Sequence, residues 1–186
     1  PTPNQTLADV PRAAADFVRE VRRRHPRSPK PVIIGNCQGG WAAMVLAASN
    51  PDLAGPVVVN GAPLSYWAGT RGKNPMRYAG GMLGGVTPAL LMADLGNGRF
   101  DGANLVLNFE NLNPGNSLWE KYYAVFADVE GQAERYLDFE RWWSGFYFMN
   151  ESEIRWIVEN LFVGNQLAHG GAQLDPRLHI DLRNIR

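Results

Sequence analysis

The chain carries a single cysteine, and its setting constrains the fold more than any other feature of the 186 residues. Residues 32–40 read Val-Ile-Ile-Gly-Asn-Cys-Gln-Gly-Gly, a G-x-C-x-G sequence between an apolar β-branched run and a helical pattern. A strand that turns sharply into a helix holds its middle residue in a strained conformation, with the side chain thrust out above the sheet, and only glycines fit close to such a turn. On this reading Gly35 and Gly39 remove Cβ atoms that would collide with the backbone of the cysteine, and Gly40 lets the helix approach the strand. The amides at the head of that helix favour an anionic sulfur, so Cys37 reads as a nucleophile rather than as a buried structural thiol.

The flanks supply the context that such a turn needs. Between Thr6 and His25, Leu7, Val10, Ala14, Phe17, Val18 and Val21 recur with a helical period. Asp9 and Pro11 suit a first turn, and His25-Pro26 ends the helix. Val32-Ile33-Ile34 is wholly apolar, as expected of a central parallel strand buried on both faces. An Ala-rich helix from Gly39 to Asn50 is stopped by Pro51, and Val57-Val58-Val59, within Pro56–Asn60, forms the next buried strand. The short β–α–β spacing implies a right-handed crossover in a parallel sheet. The expected fold class is therefore α/β: a partial α/β-hydrolase parallel sheet with a helical cap insertion.

Composition marks the insertion. Of 20 aromatic residues, 18 lie between Tyr66 and Phe162, which divides the chain into an α/β core with the nucleophile turn (1–63), a helical cap (64–167) and a return to the core (168–186). Within the cap, Leu105, Val106, Phe109 and Leu112 share a face, and Tyr136, Leu137, Glu140 and Trp143 form a further helical stretch. Asn150 and Glu153 resemble a capping pair ahead of Ile154, Ile157, Val158 and Leu161. Most of the aromatics read as the core of the cap itself, and some as the lining of an apolar substrate tunnel that excludes water. Arg71, Lys73 and Arg77 flank a loop running to Gly80-Gly81-Met82-Leu83-Gly84-Gly85, which follows no strand and lacks the spacing of a phosphate-binding loop. It reads as a flexible cap segment.

Several classes are excluded. The 18 basic residues balance the 18 acidic ones, and Arg22-Arg23-Arg24 suits the solvated C-terminus of a helix, so no nucleic-acid partner is expected. No apolar stretch approaches the roughly 20 residues that span a bilayer, and no signal peptide opens the chain. A lone cysteine permits no internal disulfide, which makes the cytoplasm the default compartment. No His, Cys or carboxylate cluster has metal-ligand spacing, so neither a metal nor another cofactor is expected.

The segments Gly35-Asn36-Cys37-Gln38-Gly39-Gly40, Gly61-Ala62-Pro63-Leu64-Ser65-Tyr66-Trp67, Asn113-Pro114-Gly115-Asn116-Ser117-Leu118-Trp119 and Asp181-Leu182-Arg183-Asn184-Ile185-Arg186 follow one another along the chain. Taken together they resemble the polyhydroxyalkanoate synthase-like α/β hydrolases, and more closely a bacterial group labelled 3-hydroxyalkanoate synthetase-like. The most specific element is the cysteine, because most α/β hydrolases carry serine there. The resemblance implies that Cys37 attacks an acyl-CoA thioester and that Gln38 contributes a backbone N–H to the oxyanion hole. It also implies that a histidine and an aspartate activate the thiol. Members of that family deliver the acid from a strand that follows a segment like Asp181 to Ile185, and the second oxyanion N–H from a loop after an early strand.

These parts are expected outside residues 1–186, which makes the chain an internal fragment of a longer protein. The local histidines are poor substitutes for the missing base. His25 ends a helix on the far side of the sheet, and His169 and His179 read as exposed loop residues. Three functions follow: acyl transfer from a 3-hydroxyacyl-CoA through a Cys37 thioester, hydrolysis of an ester or thioester through the same acyl-enzyme, or a catalytically silent scaffold. The expected partners are an acyl-CoA or ester substrate and, through an unpaired strand edge, a second copy of the chain.

Overall fold

The computed structural model describes residues 2–67, 69, 85–111 and 113–186. Arg71, Lys73, Arg77, the glycine loop up to Gly84 and Leu112 lie outside the described residues.

The N-terminal third is built by α1 (Asp9–Arg24), β1 (Ile33–Asn36), α2 (Gln38–Ser49) and β2 (Val57–Asn60). β1 and β2 pair in parallel, with Ile33 opposite Val57 and Asn36 opposite Asn60. Helix α1 packs on α2 and β1 through Ala15 and Val18, which meet Leu46, Leu53 and Ile33. This seat rotates the expected apolar stripe: Val10, Phe17 and Val21 face outward, Phe17 with 74% exposure. Small Ala15 allows the close helix approach that Phe17 would block. At the end of α1, Arg23 and Arg24 pair with Glu20 and Arg22 donates to the Asp52 carbonyl, all at the surface.

The strands differ from expectation in one respect. One face of the pair is covered by α2, because a Cβ on Gly40 would fall 2.9 Å from Cγ1 of Val59. The other face carries Ile34 and Val58 and is open, Ile34 being 71% exposed. The expected burial on both faces is not met because, among the described residues, the parallel sheet has two strands and both helices lie on its Ile33 side.

The middle segment is mixed rather than wholly helical. It runs through α3 (Val86–Leu95), β3 (Arg99–Asp101), α4 (Ala103–Glu110), a π-helical turn (Gly115–Glu120), α5 (Lys121–Ala127), α6 (Val129–Trp143) and β4 (Phe148–Asn150). It then continues through α7 (Glu151–Trp156), a second π-helical stretch (Ile157–Val163) and α8 (Gln166–His169). β3 and β4 pair antiparallel, Phe100 opposite Met149.

Helices α5 and α6 contain no buried residue. Trp119, Tyr123, Phe126 and Trp142 are exposed, as is Tyr147 at 84%, so these aromatics are not the core of a cap. They cluster instead at the surface, as in the stacked pair Phe139–Trp143, with ring centroids 5.6 Å apart. The ammonium of Lys121 lies 5.2 Å from the centre of the half-buried Tyr136 ring, a contact made without desolvating the cation fully.

The core lies elsewhere. Ile154, Ile157, Val158 and Leu161, the helical stripe read from the sequence, are all buried in one core cluster that also holds Trp41, Val45 and Ala48 of α2. Ala172, Leu174 and Ile180 of the C-terminal segment join them, so one core spans the expected boundaries at 63 and 167. That segment forms the hairpin β5 (Gln173–Asp175) and β6 (Leu178–His179) and ends in a 3₁₀ turn at Leu182–Asn184.

The Asn150–Glu153 pair caps α7 and anchors the N-terminus as well. The Asn150 N–H donates to Glu153 Oε2 at 2.9 Å, while its carboxamide donates to the carbonyls of Thr2 and Gln5. Gln5 Nε2 in turn donates to Glu153 Oε1 at 2.9 Å, which satisfies a carboxylate that would be costly to bury alone. No helix among the described residues is long and apolar enough to cross a membrane.

Candidate functional site

Cys37 joins β1 to α2 with φ +52° and ψ −126°, a backbone conformation that L-residues rarely adopt. Such strain persists only where neighbouring structure over-determines it. Here the Cys37 N–H donates to the Asn60 carbonyl at 2.8 Å, and its own carbonyl accepts from the Gly40 N–H at 2.8 Å. The cysteine is thereby held at the meeting point of strand, turn and helix. Its thiol is free and exposed.

The glycines divide by role. A Cβ on Gly35 would lie 2.3 Å from the Gly39 carbonyl oxygen, and one on Gly40 would lie 2.5 Å from Cβ of Ala62. These two positions permit the close crossing of α2 over β1 and the chain beyond β2. A Cβ on Gly39 would meet nothing within 4 Å, which corrects the expectation of a clash there. The first turn of α2 points outward at that position, away from the cysteine backbone.

Gln38 is the first residue of α2, so its N–H has no acceptor within the helix and is available to an oxygen near the sulfur. Its side chain is exposed and reaches Met149 of β4, Nε2 to Sδ at 4.0 Å, which brings the middle segment beside the cysteine turn. One helical turn further on, the Trp41 ring is buried and its indole N–H meets no acceptor among the described residues. An unmet buried donor of this kind costs about 1–3 kcal/mol.

Two residues that the sequence reading passed over belong to this site. Asn36 and Asn60 end the two strands as register partners, and Asn60 Nδ2 donates to Asn36 Oδ1 at 2.9 Å. The signal was present: both apolar runs end in asparagine, at the C-terminal edge of a parallel sheet, where ligands of open α/β sheets bind.

His25, His169 and His179 are all exposed, with His169 at the end of α8 and His179 on β6 rather than in loops. Among the described residues none of the three hydrogen-bonds to Cys37. The carboxylate nearest the expected acid segment, Asp181, is engaged otherwise: the Arg183 side chain, then the Arg183 N–H, hold it down to about 2. A cleft of about 890 Å³ opens between the β3–β4 strands and α7, lined by Arg99, Asn150, Arg155 and Trp156 among others. Cys37 does not line it. Nor, among the described residues, do three His, Cys, Asp or Glu side chains gather there as a metal site.

A strained, exposed cysteine between a parallel strand and a helix is the feature that sets this site apart. Residues 1–186 match the model of the family described as Protein of unknown function (DUF3141), and the chain belongs to that family. It is similar to an uncharacterised protein encoded in the ackA 5′ region of Rhizobium meliloti, with 54% identity over 187 residues. That match covers 100% of this chain and 26% of the relative, so the chain spans about a quarter of that protein's length. No solved structure matches the chain.

Proposed function

We propose that Cys37 is the nucleophile of an acyl-transfer reaction on an acyl-CoA thioester, with a 3-hydroxyacyl-CoA as the substrate type. The observation that carries the reading is the backbone of Cys37, held at φ +52° with an exposed sulfur at the head of a 12-residue helix. In this reaction the thiolate sulfur forms a bond to the carbonyl carbon, the carbon–sulfur bond to CoA breaks, and CoA leaves as its thiol after taking up a proton. The developing oxyanion is met by the Gln38 N–H. The acyl group then passes to a hydroxyl acceptor and regenerates the cysteine.

The surrounding β1–α2–β2 unit with its two close-approach glycines supports an α/β-hydrolase type of architecture and the polyhydroxyalkanoate synthase-like resemblance. The three exposed histidines, none bonded to Cys37, favour an acid and a base contributed from outside residues 1–186. Water in place of the hydroxyl acceptor would make the same site an esterase or thioesterase.

The test is mass spectrometry of the full-length protein mixed with 3-hydroxyacyl-CoA thioesters of short and medium chain length. The expected result is an acyl adduct on the Cys37 peptide that disappears in Cys37→Ala. Absence of an adduct at every chain length would leave the scaffold reading. Cys37→Ser should slow acylation by orders of magnitude, because the hydroxyl is a far weaker acid and a poorer nucleophile than the thiol.

A further inference from the structure

We infer that Asn60 and Asn36 act as a positioning pair for Cys37: the Asn60–Asn36 side-chain bond and the Asn60 carbonyl together clamp the strained turn that presents the sulfur. The inference rests on the nucleophile reading of Cys37 and adds two residues to it. Asn60 grips the turn at two points. Its carbonyl accepts the Cys37 N–H at 2.8 Å, and its carboxamide donates to Asn36, the residue immediately before the cysteine, at 2.9 Å.

The geometry makes the pair more than a continuation of the sheet. Ile34 and Val58 form the preceding rung on the same face, and apolar side chains there exert no directional hold on the backbone. The amide pair forms the last rung and lies one residue from the strained peptide, where a directional bond fixes the orientation of β2 against the turn. Cys37 itself adopts a φ that is costly for a residue with a Cβ and relaxes if its neighbours allow. Once it relaxes, the sulfur moves off the free N–H groups at the head of α2. Both asparagine side chains are exposed, so their hydrogen bond is not needed to satisfy buried groups.

The experiment is a double-mutant cycle on the rate at which iodoacetamide alkylates Cys37 in the full chain, using Asn36→Ala, Asn60→Ala and the double variant. Each single variant is expected to slow alkylation about five- to tenfold, and the double variant no further than either single. Asn36→Asp keeps an oxygen acceptor for Asn60 Nδ2 and, compared at a pH where the thiol is fully ionised so that the added charge does not act through the thiol's acidity, should restore the rate to within about twofold of the wild type. A purely structural role would lower the unfolding temperature and leave the alkylation rate in place.

Unchanged rates in both single variants, or single effects that multiply in the double variant, would overturn the pairing. If Asn60→Ala does not fold, Asn36→Ala and its Asp counterpart decide the matter from the other side of the bond. Alkylation needs no acyl donor, so failure of the clamp is distinguishable from failure of the acyl-transfer reading, which appears as a missing adduct in the wild type.

Discussion

The backbone N–H of Cys37 donates to the Asn60 carbonyl at 2.8 Å, which places the last rung of the β1–β2 ladder on the residue that leaves the strand. Pairing and turning therefore meet in one peptide. The sheet holds the N-terminal side of Cys37, the first turn of α2 holds its C-terminal side through the Gly40 N–H, and the side chain is left to solvent.

The three glycines of the turn give a graded prediction. Gly35→Ala places a methyl 2.3 Å from a backbone oxygen that moves only with α2, and should destabilise by about 3 kcal/mol or more. Gly40→Ala meets Cβ of Ala62 at 2.5 Å and Cγ1 of Val59 at 2.9 Å, and should cost about 1–3 kcal/mol, because the valine methyl can rotate away but the Ala62 Cβ yields only with the chain that follows β2. Gly39→Ala points into open space within a helix and should gain up to about 1 kcal/mol. Urea unfolding of the three variants measures the order. A Gly39→Ala variant as damaged as Gly35→Ala would contradict it.

The sequence made the β1–α2–β2 unit legible because its signals are unambiguous: two β-branched runs, a glycine-flanked cysteine and a proline stop. The stripe Ile154, Ile157, Val158 and Leu161 was legible for the same reason, since four apolar residues at helical spacing must be covered. β3, β4, β5 and β6 were not, because strands of two or three residues are too short to show an alternating period. The aromatic segment misled in the other direction. Composition says that Tyr123, Phe126 and Trp142 are apolar, and only tertiary packing decides whether anything covers them. At the site, Cys37 announced itself by its neighbours in sequence, whereas the Asn36–Asn60 contact joins residues 24 apart and exists only once the register is set.

Asp181 gives a prediction in pH. Its carboxylate accepts from Arg183 Nη2 at 2.7 Å and from the Arg183 N–H at 2.9 Å, which caps the 3₁₀ turn and holds its pKa at about 2, below the ordinary 3.8. A depressed carboxylate stabilises the folded state above its unfolded value and loses that contribution as pH falls through the folded one. The turn should therefore be intact above about pH 4 and loosen toward pH 2. Carboxyl NMR titration should find the Asp181 midpoint near 2, rising toward the ordinary range in Arg183→Ala. A wild-type midpoint near 4 would mean that the guanidinium does not engage the carboxylate in solution.

The strain at Cys37 predicts opposite consequences for stability and reactivity. A φ of +52° with a ψ of −126° is the mirror image of an extended conformation, open to glycine and costly for any residue with a Cβ. Cys37→Ala keeps the Cβ and the strain, whereas Cys37→Gly removes both. Against the relief of roughly 1–3 kcal/mol stands the extra freedom of glycine in the unfolded chain, worth about 0.5–1 kcal/mol. Cys37→Gly should accordingly be more stable than Cys37→Ala by about 1 kcal/mol in urea unfolding, with neither variant alkylated at position 37. An alanine variant that matches or exceeds the glycine variant would show that the turn is relaxed in solution. The wild-type thiol would then owe its exposure to position alone, without a backbone held in tension behind it.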